Sequence, residues 1–226
     1  MCFTAGASFT ASAILATAGT ATLREVRSKR ELLLAMFPVV FSVHQLIEGV
    51  LWLTIGRRPL GHLAQWLTVS YLVVAYSFWP MASPAALYLI EPNPNKKKRF
   101  VPFLIFGVSL SLYLLYYTLL GHVGASIVHC SISYDTTIPY PDQLTILYAI
   151  AVLFPFFFSS YPPILVLGVM NLLLCSVIYY VYRVTFDSVW CFFAAAFSIN
   201  IYLFFRWLRR GRSQRMVQSI VSERLQ

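Results

Sequence analysis

The chain has 226 residues, of which 59% are hydrophobic and only 11% charged, and its mean hydropathy is +0.71. Soluble domains carry about 25% charged residues, so this composition excludes an ordinary soluble domain and indicates a polytopic membrane protein surrounded by the lipid bilayer. The net charge of +9 does not indicate nucleic-acid binding, because the cations cluster beside apolar runs, as orientation signals do.

Seven apolar runs of near-spanning length follow one another along the chain. We expect transmembrane helices at 3–23, 32–55, 63–90, 101–120, 144–158, 164–182 and, beginning at Val184 or Ser188, to Trp207. The first run lacks Lys and Arg, so we expect a retained helix rather than a signal peptide. Its many small residues allow a neighbouring backbone to approach closely, which predicts a position at the centre of the bundle.

Two local patterns predict departures from regular helix. Pro80 and Pro84 remove two helical hydrogen bonds within the third run and predict a bend there. The longest connection, 121–143, contains the stretch Ser126 to Tyr134, where apolar and polar residues alternate; this predicts a short strand or hairpin.

The distribution of Lys and Arg predicts the orientation. The connections after the first and third runs hold four each and the C-terminal segment holds six, against three in all remaining connections. Cytoplasmic loops are the ones enriched in Lys and Arg. The sequence therefore predicts an all-α membrane protein in which residues 1–208 form a seven-transmembrane-helix bundle and residues 209–226 a basic cytoplasmic tail. The N-terminus would lie outside, and a bacterial inner (cytoplasmic) membrane is the expected location.

An ionisable pair interrupts the second apolar run. His44 and Glu48 are four residues apart and share one helix face, in a segment where charged groups are costly and usually face the bundle interior or a cavity. Three interpretations stay open. The pair could join helices by hydrogen bonds to Ser, Thr or Tyr; it could line an outward-open pocket for a small molecule or a proton, with Trp52 one turn further on the same face; or it could bind zinc or copper together with Cys2 and His129.

The cysteines and one further charged pair lead to additional expectations. Cys2 and Cys130 both fall on the predicted outer side, where a disulfide between them could form, with Cys191 as a rival partner for either one. The alternative is that all four cysteines are small apolar fillers. Arg183 and Asp187 flank the last outer turn, and we expect a local ion pair between them.

Two segments together resemble a known group of proteins. Met1-Cys2-Phe3-Thr4-Ala5, with Gln45-Leu46-Ile47-Glu48-Gly49 and Trp52 downstream, resembles an uncharacterised family of bacterial integral-membrane proteins. Members of that family open with Met-Cys-Phe-Ser-Ala and carry Gln-x-x-Glu-Gly-x-x-Trp in the second span. Here Thr4 replaces the serine and keeps its hydroxyl. The resemblance singles out Cys2, Gln45, Glu48, Gly49 and Trp52 as signature positions and implies no activity. We therefore add Gln45 to Glu48, His44 and Trp52 as a ligand-binding candidate.

The positions of the lysines distinguish this chain from the rhodopsins, which also have seven spans. Retinal attachment needs a lysine in the last span, whereas Lys29, Lys96, Lys97 and Lys98 all lie in predicted cytoplasmic connections, so retinal is excluded. The sequence favours a non-enzymatic protein with an outward-facing polar pocket, a small-molecule sensor or a transporter. A membrane-embedded metal-dependent enzyme and a structural subunit of a membrane complex are the alternatives, and the oligomeric state is left open.

Overall fold

The computed structural model describes residues 4–55, 61–128 and 130–224, with side chains up to residue 211. Its helices are α1 (Ala5–Arg24), α2 (Lys29–Ala35), α3 (Phe37–Thr54), α4 (Gly61–Leu72), α5 (Trp79–Ile90), α6 (Pro94–Lys97), α7 (Val101–Leu120), α8 (Pro141–Leu153), α9 (Pro162–Val181) and α10 (Phe186–Arg224). A π-helical segment, Val73–Phe78, joins α4 to α5. The strands β1 (Val123–Val128) and β2 (Ser131–Thr136) form an antiparallel hairpin.

Among the described residues, six helical segments are long and apolar enough to cross a membrane. They are Lys29–Thr54, Gly61–Ile90, Pro94–Leu120, Pro141–Phe158, Pro162–Val181 and Arg183–Gly211, and they coincide with six of the seven predicted spans. Large apolar side chains such as Ile105, Leu112 and Leu173 are exposed on α7 and α9, as on a surface that faces lipid. These features are those of a multi-pass helical membrane protein.

Helix α1 packs against α3 along a stripe of small residues, and the two helices run antiparallel. The hydroxyls of Ser12 and Ser42 each donate to the main-chain carbonyl of the other residue, both at 2.8 Å. A Cβ atom at Gly19 would lie 2.5 Å from Cγ2 of Val39, so the backbones approach as closely as glycine allows. The opposite face of α1 is exposed, with Ile14 at 52%. The expected central position is therefore wrong, because the small residues that pack form one stripe and face one side only.

The prolines of the third span stand next to the π-helical segment. Pro80 occupies the first turn of α5 and has no N–H with which to continue the hydrogen-bond ladder from the preceding turn. Helix α8 bonds to the main chain at this irregularity, because the Tyr148 hydroxyl donates to the carbonyl of Ala75 at 2.6 Å. A departure from regular helix is thus present one turn before the prolines, while α5 stays α-helical across Pro84 and the bend itself stays a prediction.

The predicted hairpin is confirmed and lies at one end of the bundle, here called the hairpin end. Tyr134 of β2 stacks on Tyr71 of α4 with ring centroids 4.5 Å apart. The Gln65 side chain donates to the carbonyl of Val123 at 3.1 Å. The hairpin is therefore packed against the helix ends rather than projecting from them.

The opposite end, here called the basic end, is held by a buried ion pair. The guanidinium of Arg209 pairs with the carboxylate of Glu31, and both side chains are less than a tenth exposed. Arg209 Nε also donates to the carbonyl of Glu25 at 2.9 Å. These bonds fix α10 to α2 and to the residue that follows α1. Helix α10 then continues without a break across position 208, so the predicted tail begins inside a helix.

Candidate functional site

The Glu48 carboxyl joins α3 to α10 in the half of the bundle nearest the hairpin. Its side chain is buried, at 2% exposure. Oε1 accepts a hydrogen bond from the Ser188 hydroxyl at 2.5 Å, and Oε2 accepts one from the Gln45 amide at 3.1 Å. The first bond crosses between helices and the second stays on one face of α3. Both carboxyl oxygens therefore have protein partners.

His44 precedes Glu48 by about one turn of α3, and its imidazole has a different hydrogen-bond partner. Its Nε2 is 3.2 Å from the main-chain carbonyl of Tyr71, which can only accept, so Nε2 carries the proton in this arrangement. The imidazole also lies against the Tyr71 ring, with centroids 3.9 Å apart. In the described part of the chain, His44 Nδ1, Gln45 Oε1 and Trp52 Nε1 are buried without a hydrogen-bond partner.

A cavity of about 210 Å³ opens beside this cluster at the hairpin end. Its walls are contributed by the π-helical segment, β2, α8, α9 and the start of α10. Asp187 lines it and accepts a hydrogen bond from the Tyr76 hydroxyl at 3.0 Å. Ser188, the next residue, bonds to Glu48 instead. Two consecutive residues of α10 thus connect the cavity with the Glu48 cluster.

The rim of the cavity carries an ion pair that the sequence did not predict. Arg183 pairs with Asp142 at 2.5 Å, and their side chains are 62% and 50% exposed. The Tyr179 hydroxyl donates to the same carboxylate at 3.2 Å. The predicted Arg183–Asp187 pair is wrong, because Arg183 precedes α10 in a 3₁₀ turn and reaches the start of α8, whereas Asp187 lies in the first turn of α10 and bonds to Tyr76.

The floor of the cavity is well shielded from solvent. Cys191 is 3% exposed, Trp190 6% and Tyr134 8%. Burial raises the pKa of Tyr134 well above its usual range, so its phenol stays protonated at neutral pH. An exposed rim above a buried floor is the geometry of a binding site for a small molecule.

The residues predicted to bind a ligand lie next to this cavity but do not line it. Glu48, His44, Gln45 and Trp52 share α3, and none of them is among the lining residues. Glu48 is connected to the cavity wall through its hydrogen bond to Ser188, which directly follows the lining residue Asp187. The hydrogen bonds of Glu48 and His44 also match the first interpretation, in which the pair joins neighbouring helices.

The metal and disulfide predictions depend partly on residues outside the described ranges. Cys2 and His129 lie outside them, so zinc or copper binding by these residues with His44 and Glu48 stays a prediction. Within residues 4–55, 61–128 and 130–224, no three His, Cys, Asp or Glu side chains are grouped closely enough to hold a metal ion. The Cys2–Cys130 disulfide also stays a prediction, while Cys191 carries a free thiol.

Sequence reasoning missed the lining residues Asp187, Tyr76 and Tyr148. One signal was present: Asp187 and Cys191 are four residues apart at the start of the last span and therefore share a helix face. The partners of Asp187 gave no signal, because Tyr76 lies 111 positions away in the chain.

The helices and the hairpin-capped cavity define a membrane-compatible helical bundle with a small internal site. The chain belongs to a family of unknown function, DUF6629, which matches residues 1–219. This agrees with the resemblance to an uncharacterised family noted above. No curated protein and no solved structure matches the chain.

Proposed function

We propose that the protein is a seven-span integral membrane protein of a bacterial cytoplasmic membrane, with the hairpin end outside and the basic end in the cytoplasm. The positive-inside rule supports this orientation, because fourteen of the seventeen Lys and Arg belong to the basic-end segments. Helix α1 is the seventh span. Its 20 residues extend about 30 Å, and the hydroxyls of Thr17 and Thr20 donate to carbonyls of their own helix, which lowers the cost of contact with lipid.

Its function in this proposal is to sense a small molecule from the outer side. The observation that carries the proposal is the cavity of about 210 Å³, with its exposed rim and buried floor. Ligand pockets commonly measure about 300–1,000 Å³, so this volume suits a small metabolite rather than a drug-sized ligand.

Helix α10 extends from the cavity to the basic end, which favours a sensor. This single helix carries Asp187 at the cavity and Arg209 in the buried ion pair of the basic end, about 33 Å further along its axis. A ligand that shifts the start of α10 would act on the pair between Arg209 and Glu31 and on the helical tail beyond it.

A transporter is the second candidate, and one observation favours it. A smaller cavity of about 50 Å³ lies deeper in the bundle and shares Tyr148, Trp190 and Cys191 with the first. Movement of these side chains would join the two spaces. The deeper cavity is lined mainly by apolar side chains, so a polar ligand would gain little on entering it.

A ligand screen with a plugged cavity tests the proposal. Small polar metabolites are added to protein purified in maltoside detergent, and thermal unfolding is followed for the natural protein and for Thr145→Trp, which fills the cavity from α8. Thr17→Trp, on the exposed face of α1, is the matched control. A metabolite that stabilises the natural protein and the control but not Thr145→Trp supports the proposal. Stabilisation that persists in Thr145→Trp places the binding elsewhere and contradicts it.

Flux separates the two candidates. Proteoliposomes loaded with the radiolabelled metabolite would retain it if the protein is a sensor and release it if the protein is a transporter. The Thr145→Trp variant provides the background rate for the same measurement.

A further inference from the structure

The charges around the cavity leave one carboxyl group without a cation. In the described part of the chain, ion pairs join Arg183 to Asp142, Arg206 to Glu25 and Arg209 to Glu31, and none includes Asp187. Arg183, the cation at the rim, is thus already matched by Asp142. The cavity therefore has an unmatched acidic group in its wall, which favours a positively charged occupant.

The hydrogen bonds made by the lining residues also favour a positively charged occupant. Four hydroxyls on lining residues already donate to oxygen atoms of the protein: Tyr76 to Asp187 (3.0 Å), Tyr148 to the Ala75 carbonyl (2.6 Å), Tyr179 to Asp142 (3.2 Å) and Thr145 to the Pro141 carbonyl (2.9 Å). Because each hydroxyl has one proton, these groups retain only acceptor capacity. These four hydroxyls therefore offer no free proton to a ligand that accepts hydrogen bonds, whereas a ligand that donates them, or a cation, would find several acceptor oxygens.

One buried phenol in the cavity wall is available to bond to a ligand. Tyr134 lines the cavity at 8% exposure, and its hydroxyl has no hydrogen-bond partner among the described residues. A buried polar atom without a partner is costly unless an occupant supplies one. The hydroxyl can bond to a polar group carried by the same molecule.

Aromatic rings make up much of the remaining wall. Six aromatic side chains line the cavity: Tyr76, Tyr134, Tyr148, Tyr179, Phe186 and Trp190. Cations bind over such rings, and clusters of them recognise quaternary ammonium groups. One ring already has a cation over it, since the Arg183 guanidinium lies 5.6 Å from the centroid of Tyr179.

From these four observations we infer that the cavity binds a small organic ammonium compound, with its cationic nitrogen beside Asp187 and against the aromatic wall. The inference rests on the proposed function, since it names the ligand class for the same cavity. A free amine and the ammonium headgroup of a lipid share this chemistry, and the choice of lipid in the experiment distinguishes them.

The test compares choline with its uncharged isostere 3,3-dimethylbutan-1-ol, in which carbon replaces the cationic nitrogen. Binding of each is measured by calorimetry with the full-length protein in phosphatidylglycerol nanodiscs. We expect choline to bind about 30-fold more tightly, as a desolvated cation–π site and an acidic partner would provide. Equal affinities for the two compounds, or no binding of choline, would overturn the inference. The proposed function would survive that result, because the metabolite screen with Thr145→Trp does not depend on ligand charge.

Two acidic positions at the hairpin end provide a matched pair of variants. Asp187→Asn should weaken choline binding at least tenfold and leave the isostere unchanged. Asp135→Asn removes the same charge from an exposed position of β2 that does not line the cavity, and it should change neither affinity by more than about threefold. Equal losses in both variants would contradict a specific role of Asp187. If Asp187→Asn does not fold, the comparison of choline with its isostere on the natural protein still decides the inference.

Repeating the choline titration in a second lipid identifies the source of the ammonium group. At about 1 M salt, which screens the difference in surface charge between the two lipids, a phosphatidylcholine headgroup competes if it can enter the site, so the apparent choline affinity falls at least several-fold in phosphatidylcholine nanodiscs. An unchanged affinity assigns the site to a free amine. Either result is compatible with ammonium binding, while tighter choline binding in phosphatidylcholine would contradict competition at a common site and overturn the inference.

Discussion

Replacing Glu48 by two different residues separates its hydrogen bonds from its charge. Glu48 accepts from Ser188 and from Gln45, and Gln45 Oε1 has no partner among the described residues. In Glu48→Gln the new carbonyl oxygen can accept from Ser188, while the new amide can donate to Gln45 Oε1 after that side chain rotates. Ser188, Gln45 and the new side chain then each keep one hydrogen bond. In Glu48→Leu the Ser188 hydroxyl and the Gln45 amide lose theirs.

The expected difference follows from those two lost bonds. A buried polar group without a partner costs about 1–3 kcal/mol, and helix–helix hydrogen bonds within membranes fall near the lower end of that range. Glu48→Leu should therefore lower the free energy of unfolding by about 2 kcal/mol relative to Glu48→Gln. Reversible unfolding in mixtures of dodecyl sulfate and maltoside measures this difference. Val43→Leu, on the exposed face of α3, controls for an added leucine.

One result would refute this reasoning. If Glu48→Leu is as stable as Glu48→Gln, the bond from Ser188 does not hold α3 to α10, and the polar cluster behind the cavity has no structural role. A loss in Ser188→Ala that equals the loss in Glu48→Leu would instead assign the whole effect to the interhelical bond.

Three further predictions concern packing and access. Gly107→Val should prevent stable folding, because even a Cβ atom there would lie 2.0 Å from the carbonyl oxygen of Pro80; expression and size-exclusion chromatography report this. Tyr148→Phe should cost about 1 kcal/mol in the same unfolding assay, since it removes the bond to the Ala75 carbonyl beside the π-helical segment. Cys191, at 3% exposure, should react with maleimide only after unfolding, and peptide mapping of the labelled native protein would reveal any earlier reaction.

The helices were predictable because each depends on a local run of apolar residues. Six of the seven runs correspond to segments of membrane-spanning length and composition, and the alternation between Ser126 and Tyr134 indicated the hairpin. Glu48 was identified because a carboxyl group in such a run is conspicuous in isolation. Its position on the same face of α3 as His44 follows from helical periodicity, and its burial follows from the cost of exposing a carboxyl group to lipid.

The cavity was not predictable, because it depends on contacts between distant segments. Asp187 appeared to be an ordinary residue at a helix end, and its local partner appeared to be Arg183. The structure pairs Arg183 with Asp142 across 41 positions and Asp187 with Tyr76 across 111. Which tyrosines surround a space is decided by helix packing, and no local pattern encodes it.

Chemical access to the cavity wall in intact cells tests the central claim most directly. Thr145→Cys places a thiol in the lining, and Asn95→Cys places one at the exposed basic end. A membrane-impermeant maleimide is applied to intact and to permeabilised cells, and peptide mapping separates the introduced cysteines from the native ones. The account predicts that Thr145→Cys is labelled in intact cells and Asn95→Cys only after permeabilisation. Labelling of Asn95→Cys alone in intact cells, or no labelling of Thr145→Cys under either condition, would contradict an outward-facing cavity.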